Sequence, residues 1–307
     1  MIVLVPTQPV IEPPVSRRRF LGLMGLGAST LLVAGAAGPV VRVDHRYTDV
    51  SAMLAADPFF VAHHGCSRTW PEMSLHAYTG SALRGFGALE LSLARTSDGV
   101  WFGLHDATLD RTSGITGPEA SAMTWAQVRS HRILGRMAAD DPAQPSRPYL
   151  RWEELIAAYY PSQVIFVDPK YAVTFHHELM TKMNALPGVP QDHLVCKDRG
   201  VSGDANNSTG WAELAATNGY RSWGYFFAAD AAAIPQYQGR WDILGLDYGA
   251  DESLWASMRA YGKPIIGHIA PNAAAVRAAR AKGAVGLVVS SVGALPPGRR
   301  RFELAAR

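Results

Sequence analysis

The sequence predicts an α/β fold built on a parallel sheet, either closed into an eight-fold barrel or open and doubly wound. Two observations carry this expectation. Short apolar runs rich in Val, Ile and aromatic residues alternate with Ala-rich stretches of helical spacing along most of the chain. The length of 307 residues, 48% hydrophobic and 18% charged, suffices for one large core, and an α/β barrel uses about 250 residues as a single domain.

The N-terminus is of another kind. Ser16-Arg17-Arg18-Arg19-Phe20-Leu21 precedes an apolar Gly/Ala-rich run from Gly22 to Val33, and Ala34-Gly35-Ala36 supplies small residues for cleavage. That order is the pattern of a secretory signal peptide, and the paired arginines before Phe-Leu resemble the twin-arginine export signal. The apolar run over 22–37 falls short of the ~20 residues that span a bilayer. Residues 1–37 are therefore expected to be a cleaved signal peptide and residues 38–307 a single domain. The mature form is expected to lack a stable membrane span. The twin-arginine machinery would export it across the bacterial cytoplasmic membrane to a secreted, periplasmic or cell-surface location.

The formal charge is +3, of which Arg17, Arg18 and Arg19 less Glu12 account for +2. With no clustered basic face, nucleic acid is not an expected partner. Arg299–Arg301 reads as a solvated tail. Two cysteines, Cys66 and Cys196, are too few to build a metal site and read as separate buried thiols.

Nine strands are expected: Phe59–Ala62, Ala88–Leu93, Val100–Leu104, Val164–Val167, His193–Cys196, Arg221–Phe227, Ile243–Leu246, Pro264–His268 and Gly286–Val289. Helical stretches at Glu72–Arg84, Thr124–His131, Trp152–Tyr160, Thr174–Leu186, Trp211–Asn218, Ser253–Tyr261 and Asn272–Lys282 separate most of them. The second and third strands lie too close for a parallel crossover and must form an antiparallel hairpin. With its turn centred on Asp98-Gly99, Ser92 would face His105, and Glu90 would lie diagonally within reach of that imidazole. A slip of one residue would separate them. Residues 132–151 and Asp198–Ser208 are rich in Asp, Pro, Gly or Ser and read as long loops, which in compact domains are often lids or binding loops.

Chemistry-bearing residues collect at strand ends. His63-His64-Gly65 follows the first strand, His105 the hairpin, and Asp168 and Lys170 the fourth strand, while Glu90 lies inside an otherwise apolar one. In an α/β barrel the C-terminal ends of the strands converge on one mouth, where chemistry occurs. Two histidines, two carboxylates and a lysine there suit acid–base attack on a phosphate ester, with a carboxylate-bound hard cation and the lysine holding negative charge.

Taken in order, the motifs Val61-Ala62-His63-His64-Gly65, Pro71-Glu72-Met73-Ser74, Glu90-Leu91-Ser92, Ser97-Asp98-Gly99-Val100 and His105-Asp106-Ala107-Thr108-Leu109-Asp110-Arg111-Thr112 resemble the glycerophosphodiester phosphodiesterase family. The likeness continues at Asp168-Pro169-Lys170 and more faintly over Gly262–His268 and Gly283–Val289. The resemblance implies a TIM (β/α)8 barrel of the PLC-like phosphodiesterase type, with an antiparallel hairpin near residues 88–105. It implies hydrolysis of glycerophosphodiesters to glycerol 3-phosphate and an alcohol. It makes His63 and His105 the acid–base pair, Glu90 and Asp168 ligands of a divalent cation such as calcium or magnesium, and Lys170 a catalytic contact to the phosphate. His64, Ser92 and His268 would lie against the substrate.

The chain departs from the family pattern at several of these positions. His64 stands where that pattern has Arg, so a guanidinium that grips phosphate in two places is missing. Ser92 replaces the second carboxylate of a Glu-x-Asp pair, and Asp168 a commoner Glu. His268 stands near a usual Trp, and Val289-Ser290 replaces Thr-Asp. Losing a carboxylate weakens a hard-cation site, while His64 suits a softer metal. The outcomes, in order of expectation, are a weak calcium or magnesium site, a different metal, or cationic side chains in place of metal. The rival activities are a C- or D-type phospholipase of related fold, which would show an apolar rim drawn from Trp223, Tyr225, Phe226 and Phe227, and an inactive barrel that binds a phosphoryl ligand.

Overall fold

All nine expected runs are strands, and eight of them close into one parallel barrel. The computed structural model describes residues 47–201 and 209–295. The expected signal peptide, the Arg299–Arg301 tail and most of the Asp198–Ser208 loop lie outside the described residues. In chain order the strands are β1 Phe59–Ala62, β2 Ala88–Arg95, β3 Trp101–Gly103, β4 Arg132–Ile133, β5 Arg147–Pro148, β6 Val164–Asp168, β7 Leu194–Arg199, β8 Arg221–Phe226, β9 Ile243–Asp247, β10 Ile265–Ala270 and β11 Gly286–Val289. The barrel runs β1-β11-β10-β9-β8-β7-β6-β2 and is closed by β1 against β2, with Val61 opposite Ala88 and Ala62 opposite Leu89. Helices between successive strands cover the outside, as parallel connections require.

Alternation along each strand sorts the side chains. Leu89 and Leu91, Ile165 and Val167, Leu194 and Cys196 point outward into the layer beneath the helices. Val61, Ala88, Val164, Phe166, Val195 and Val288 point inward and pack with Tyr47, Val50 and Met53, which precede β1. The lower barrel is thus an apolar plug, and polar inward positions occur only above it. Gly245 makes room inside: a Cβ there would lie 2.6 Å from Nε1 of Trp223. Cys66 and Cys196 are separate buried thiols. No helix among the described residues is long and apolar enough to cross a membrane.

The hairpin forms, but with a different register from the one expected. Leu93 pairs with Gly103, Ala94 with Phe102 and Arg95 with Trp101. The turn is a three-residue loop over 97–99, closed by Thr96 and Val100, with Gly99 at φ 85°. The added residue slips the ladder by one, so Ser92 faces Leu104, whose amide donates to the Ser92 carbonyl at 3.1 Å. His105 lies beyond the ladder. Residues 132–151 are also less irregular than expected. They carry the two-residue β4–β5 ladder and the short helix Gly135–Met137, and Asp140 is tied to Arg68, Thr69 and Ser291.

Substituting Gly245→Ala is expected to destabilise the protein by about 1–3 kcal/mol through overpacking. Urea unfolding monitored by far-UV circular dichroism measures this, and a midpoint unchanged from wild type would refute the close packing of Trp223 on Gly245.

Candidate active site

Above the apolar plug the inward positions turn polar. Ser92 pairs with Asp168 in register, and Lys197 with Trp223. Glu90, Ser92 and Asp168 have no exposed surface, and Lys170 and Lys197 are buried beside them. Lys197 Nζ donates to Glu90 Oε1 at 2.6 Å and also to Asp168 Oδ2. Lys170 Nζ lies 2.9 Å from the same Asp168 oxygen and donates to the Tyr225 hydroxyl at 2.8 Å. The Tyr225 ring lies 4.7 Å from Lys197 Nζ, and the Trp223 ring 5.6 Å.

Burial alone would push both carboxyl groups toward the neutral form. At Glu90 it is outweighed by the charge of Lys197 and then of His63, which hold the pKa down to about 2. At Asp168 burial is outweighed by Lys170 and Lys197. Burial likewise opposes both ammonium charges, yet their carboxylate partners raise the lysines above the ordinary value. Four charges therefore persist in a buried site because each has a partner.

The turn after β1 places two imidazoles over this cluster. His64, Gly65 and Cys66 all adopt left-handed backbone conformations, with φ of 49°, 74° and 66°. Such geometry costs a non-glycine residue roughly 1–2 kcal/mol. It aims the His64 amide at Glu90 Oε2, 3.1 Å away. Gly65 is required twice over, since a Cβ there would also lie 2.8 Å from that of Ala77. The His63 and His64 rings stack at 3.8 Å. His63 Nδ1 lies 3.2 Å from Ser67 Oγ, leaving Nε2 for other work. Burial drives His63 down to about 4, against the opposing pull of Glu90.

His105 is held differently. Its Nδ1 lies 2.8 Å from Asp106 Oδ1, and Arg111 Nε donates to Asp106 Oδ2 at 2.5 Å. Arg111 reaches on to grip both oxygens of Glu72 at 2.8 Å. This chain of alternating charges anchors a partly exposed loop imidazole to the buried end of the Pro71–Ser74 segment. An imidazole backed at Nδ1 by a carboxylate has a fixed tautomer and keeps Nε2 for proton exchange.

A cleft of about 380 Å³, counting its open mouth, is lined by His63, His105, Lys170, Lys197 and His268 on its polar parts and by Trp223, Tyr225, Phe227, Ile269 and Val288 on its apolar wall. The expected catalytic trio of His63, His105 and Lys170 thus meets in one place. His268 joins the wall, donating through Nε2 to the Phe226 carbonyl at 3.0 Å. His64 and Ser92 are buried beside these residues, 3.2 Å apart from Nε2 to Oγ, and the His64 ring lies 5.2 Å from that of His105. Phe226 leaves the expected rim, because alternation turns it outward into the helix-side core. Lys197 enters the site without having been assigned to it, and Tyr225, expected on an apolar rim, also takes a hydrogen bond from Lys170 through its hydroxyl.

The expected metal ligands, Glu90 and Asp168, do converge, but the space between them holds the Lys197 ammonium. Every oxygen is engaged: Glu90 Oε1 and Asp168 Oδ2 by Lys197, Glu90 Oε2 by the His64 amide, and Asp168 Oδ1 by the Lys170 amide at 3.3 Å. This pair does not fit a calcium or magnesium ion, which needs several free oxygen ligands. One group among the described residues has the spacing to hold a cation: His63, His64 and Glu90, whose ligand atoms lie within 4.8 Å of one another. Two imidazoles and one carboxylate suit a softer ion.

Residues 63–190 match the model of the "Glycerophosphoryl diester phosphodiesterase family", which supports the family that the motifs resemble. Lys197 lies beyond that stretch. The chain is 43% identical over 142 residues to "Probable glycerophosphodiester phosphodiesterase 1" of Mycobacterium tuberculosis (strain CDC 1551 / Oshkosh), covering 44% of this chain and 50% of that one. It is 39% identical over 138 residues to "Glycerophosphodiester phosphodiesterase 1" of Bos taurus, covering 44% and 41%. The matched stretch therefore spans half or less of these relatives' length. Among solved structures, a putative glycerophosphoryl diester phosphodiesterase from Silicibacter pomeroyi superposes with a TM-score of 0.63 at 15% identity, over 81% of this chain and 95% of that one. A phosphodiesterase from Oleispira antarctica, solved in complex with the product sn-glycerol-3-phosphate, superposes with a TM-score of 0.60 at 15% identity, over 77% and 94%. These likenesses show the same barrel fold.

Two stability measurements test the buried cluster. Asp168→Asn strands two ammonium groups on one carboxylate and is expected to cost about 3–5 kcal/mol, read as a lower urea midpoint. The pH dependence has two stages. Neutral burial of His63 contributes stability that is full above its ordinary value of 6.5 and lost as pH falls toward 4. The Glu90 carboxylate contributes stability that is full above 4.5 and lost as pH falls toward 2. The midpoint should therefore begin to fall near pH 6.5. A profile flat from pH 7 to 4.5 would contradict the burial of a neutral His63.

Proposed function

We propose that this chain is a phosphoric diester hydrolase that cleaves glycerophosphodiesters to glycerol 3-phosphate and an alcohol. The observation that carries the reading is the shared cleft of His63, His105, Lys170 and Lys197. Two imidazoles and two ammonium groups supply the proton transfers and the charge that such a reaction needs.

His63 is the base. At neutral pH it is uncharged, because burial lowers it to about 4, and Nε2 takes a proton from the attacking water as the new P–O bond forms. The imidazolium so created lies 3.8 Å from Glu90 Oε2, which stabilises it. His105, with one proton on Nδ1 held by Asp106 and a second on Nε2, donates the Nε2 proton to the departing alcohol oxygen as the old P–O bond breaks, and is left as the neutral ring. Lys170 and Lys197 each have two hydrogen bonds to described residues and one further N–H for a phosphoryl oxygen.

Export follows from the same reading of the N-terminus: residues 1–37 would direct the chain through the twin-arginine machinery and be removed. N-terminal sequencing of protein recovered outside the cytoplasm tests this, with a start near residue 38 expected and retention of Met1 counting against it.

A second reading has an observation of its own. Phe227 and Ile269 on the cleft wall are each more than one-third exposed, an apolar margin suited to a lipid chain on the substrate, as a phospholipase would require. Comparing glycerophosphocholine with its monoacyl and diacyl counterparts separates the two. Turnover of the acyl forms alone would replace the first reading.

His63→Ala and His105→Ala are each expected to lower kcat on glycerophosphocholine by about 100- to 10,000-fold. Full activity in His105→Ala would refute the acid–base assignment. In the wild type, the acidic limb of kcat/KM should fall near the lowered value of His63, about 4. A limb near 6.5 would remove His63 from the role of base.

A further inference from the structure

We infer that the Lys197 ammonium takes the place of a divalent cation, so that this site acts on its phosphodiester without a bound metal. The inference rests on the phosphodiesterase reading above, and four observations on the chain itself support it.

Position comes first. Lys197 Nζ lies between Glu90 Oε1 and Asp168 Oδ2, the two carboxylates otherwise available to a hard cation. Its stem rises from the inward face of β7, directly beside β6. The ammonium thus sits where the strand register puts it.

Oxygen supply comes second. All four carboxylate oxygens already accept hydrogen bonds, two of them from Lys197. A dication entering here would have to expel the ammonium. The Tyr225 and Trp223 rings flank it at 4.7 and 5.6 Å, and a displaced ammonium would leave those contacts as well as both carboxylates.

The third observation is charge. Glu90 and Asp168 are balanced by Lys170 and Lys197, and all four are buried. Adding a dication to this neutral set would leave two uncompensated positive charges in a site that water barely reaches.

Access to the substrate completes the case. Lys197 lines the cleft together with His63, His105 and Lys170, beside the space that a phosphoryl group would enter. An ammonium there neutralises charge developing on a non-bridging oxygen. The reacting bonds and protons are unchanged: water adds to phosphorus, the alcohol leaves, and the lysine exchanges no proton. The group of His63, His64 and Glu90 offers the competing arrangement, but Glu90 is its one anionic member and already carries Lys197 at 2.6 Å.

The experiment compares wild type with Lys197→Met, both dialysed against EDTA. Metal content is read by mass spectrometry, Mn2+ and Zn2+ binding by titration, and turnover on glycerophosphocholine with and without added Ca2+, Mg2+, Mn2+ or Zn2+. Wild type should contain no stoichiometric metal, bind neither Mn2+ nor Zn2+ in the site, and turn over unchanged after EDTA. Lys197→Met should lose about 100-fold in kcat and acquire Mn2+ binding at the freed carboxylates. Stoichiometric metal in wild type, restoration of EDTA-treated wild type by any of the four ions, or full activity in Lys197→Met would overturn the inference. The wild-type measurements do not depend on the variant's folding. If wild type turns over no glycerophosphodiester under any condition, the proposed function fails. The ion titrations then still decide the inference: Mn2+ or Zn2+ held by wild type overturns it, and their exclusion supports it.

Discussion

An ammonium between two carboxylates, sealed above an apolar plug, is the constraint around which the upper barrel is built. Parallel register brings β2, β6 and β7 side by side, so their inward residues share a layer. Once Glu90 and Asp168 both point inward from neighbouring strands, their charges meet in a space where water cannot separate them. Two unpaired buried carboxylates would cost several kcal/mol each or take up protons. Lys197 resolves this from the next strand, and Lys170 from the loop after β6. The carboxylates therefore remain ionised, and Glu90 presents a negative oxygen to the His64 amide and the His63 ring. The left-handed turn at His64–Cys66 spends backbone strain to reach that oxygen, which ties the first strand to the cluster.

The two cleft histidines are supported by contrasting physics. His63 is packed against His64 and over Glu90, and burial keeps it neutral. His105 stands on a loop, and a relay through Asp106, Arg111 and Glu72 holds it in place. One is positioned by packing and the other by charge. Salt screens exposed ion pairs more than buried ones, so the support of His105 is the more sensitive of the two to ionic strength.

Much of this fold and site is legible in the sequence, for physical reasons that differ from residue to residue. Apolar runs bounded by turn residues located the nine strands of the main sheet, because burial on both faces of its eight parallel strands leaves a distinct composition, while the two-residue β4 and β5 carried no such run. The motifs assigned His63, Glu90, His105, Asp168 and Lys170 to one mouth. Lys197 escaped because the apolar run appeared to stop at Cys196, although β7 continues to Arg199. The signal was there in the alternation: Leu194 and Cys196 face the helices, so Val195 and Lys197 must face the barrel. The same alternation would have removed Phe226 from the cleft rim and kept Tyr225. The hairpin register was not legible, since a two-residue and a three-residue turn around Asp98-Gly99 differ by one hydrogen bond. Nor was the link from Arg111 to Glu72, 39 positions apart, which exists only once both loops are folded.

Ser92 and Lys197 are best understood together. Ser92 is the register partner of Asp168, so a carboxylate at 92 would add a third negative charge to the same layer. Three carboxylates can be balanced by a dication and one lysine, whereas two are balanced by two lysines. The chain has the second set: Glu90 and Asp168 against Lys170 and Lys197. Ser92 bonds the buried His64 ring, 3.2 Å away, and His64 stacks on His63 as a neutral aromatic. The departure at Ser92 looks like a loss when read alone. Beside Lys197 it is part of a balanced set, in which two buried carboxylates meet two buried ammonium groups.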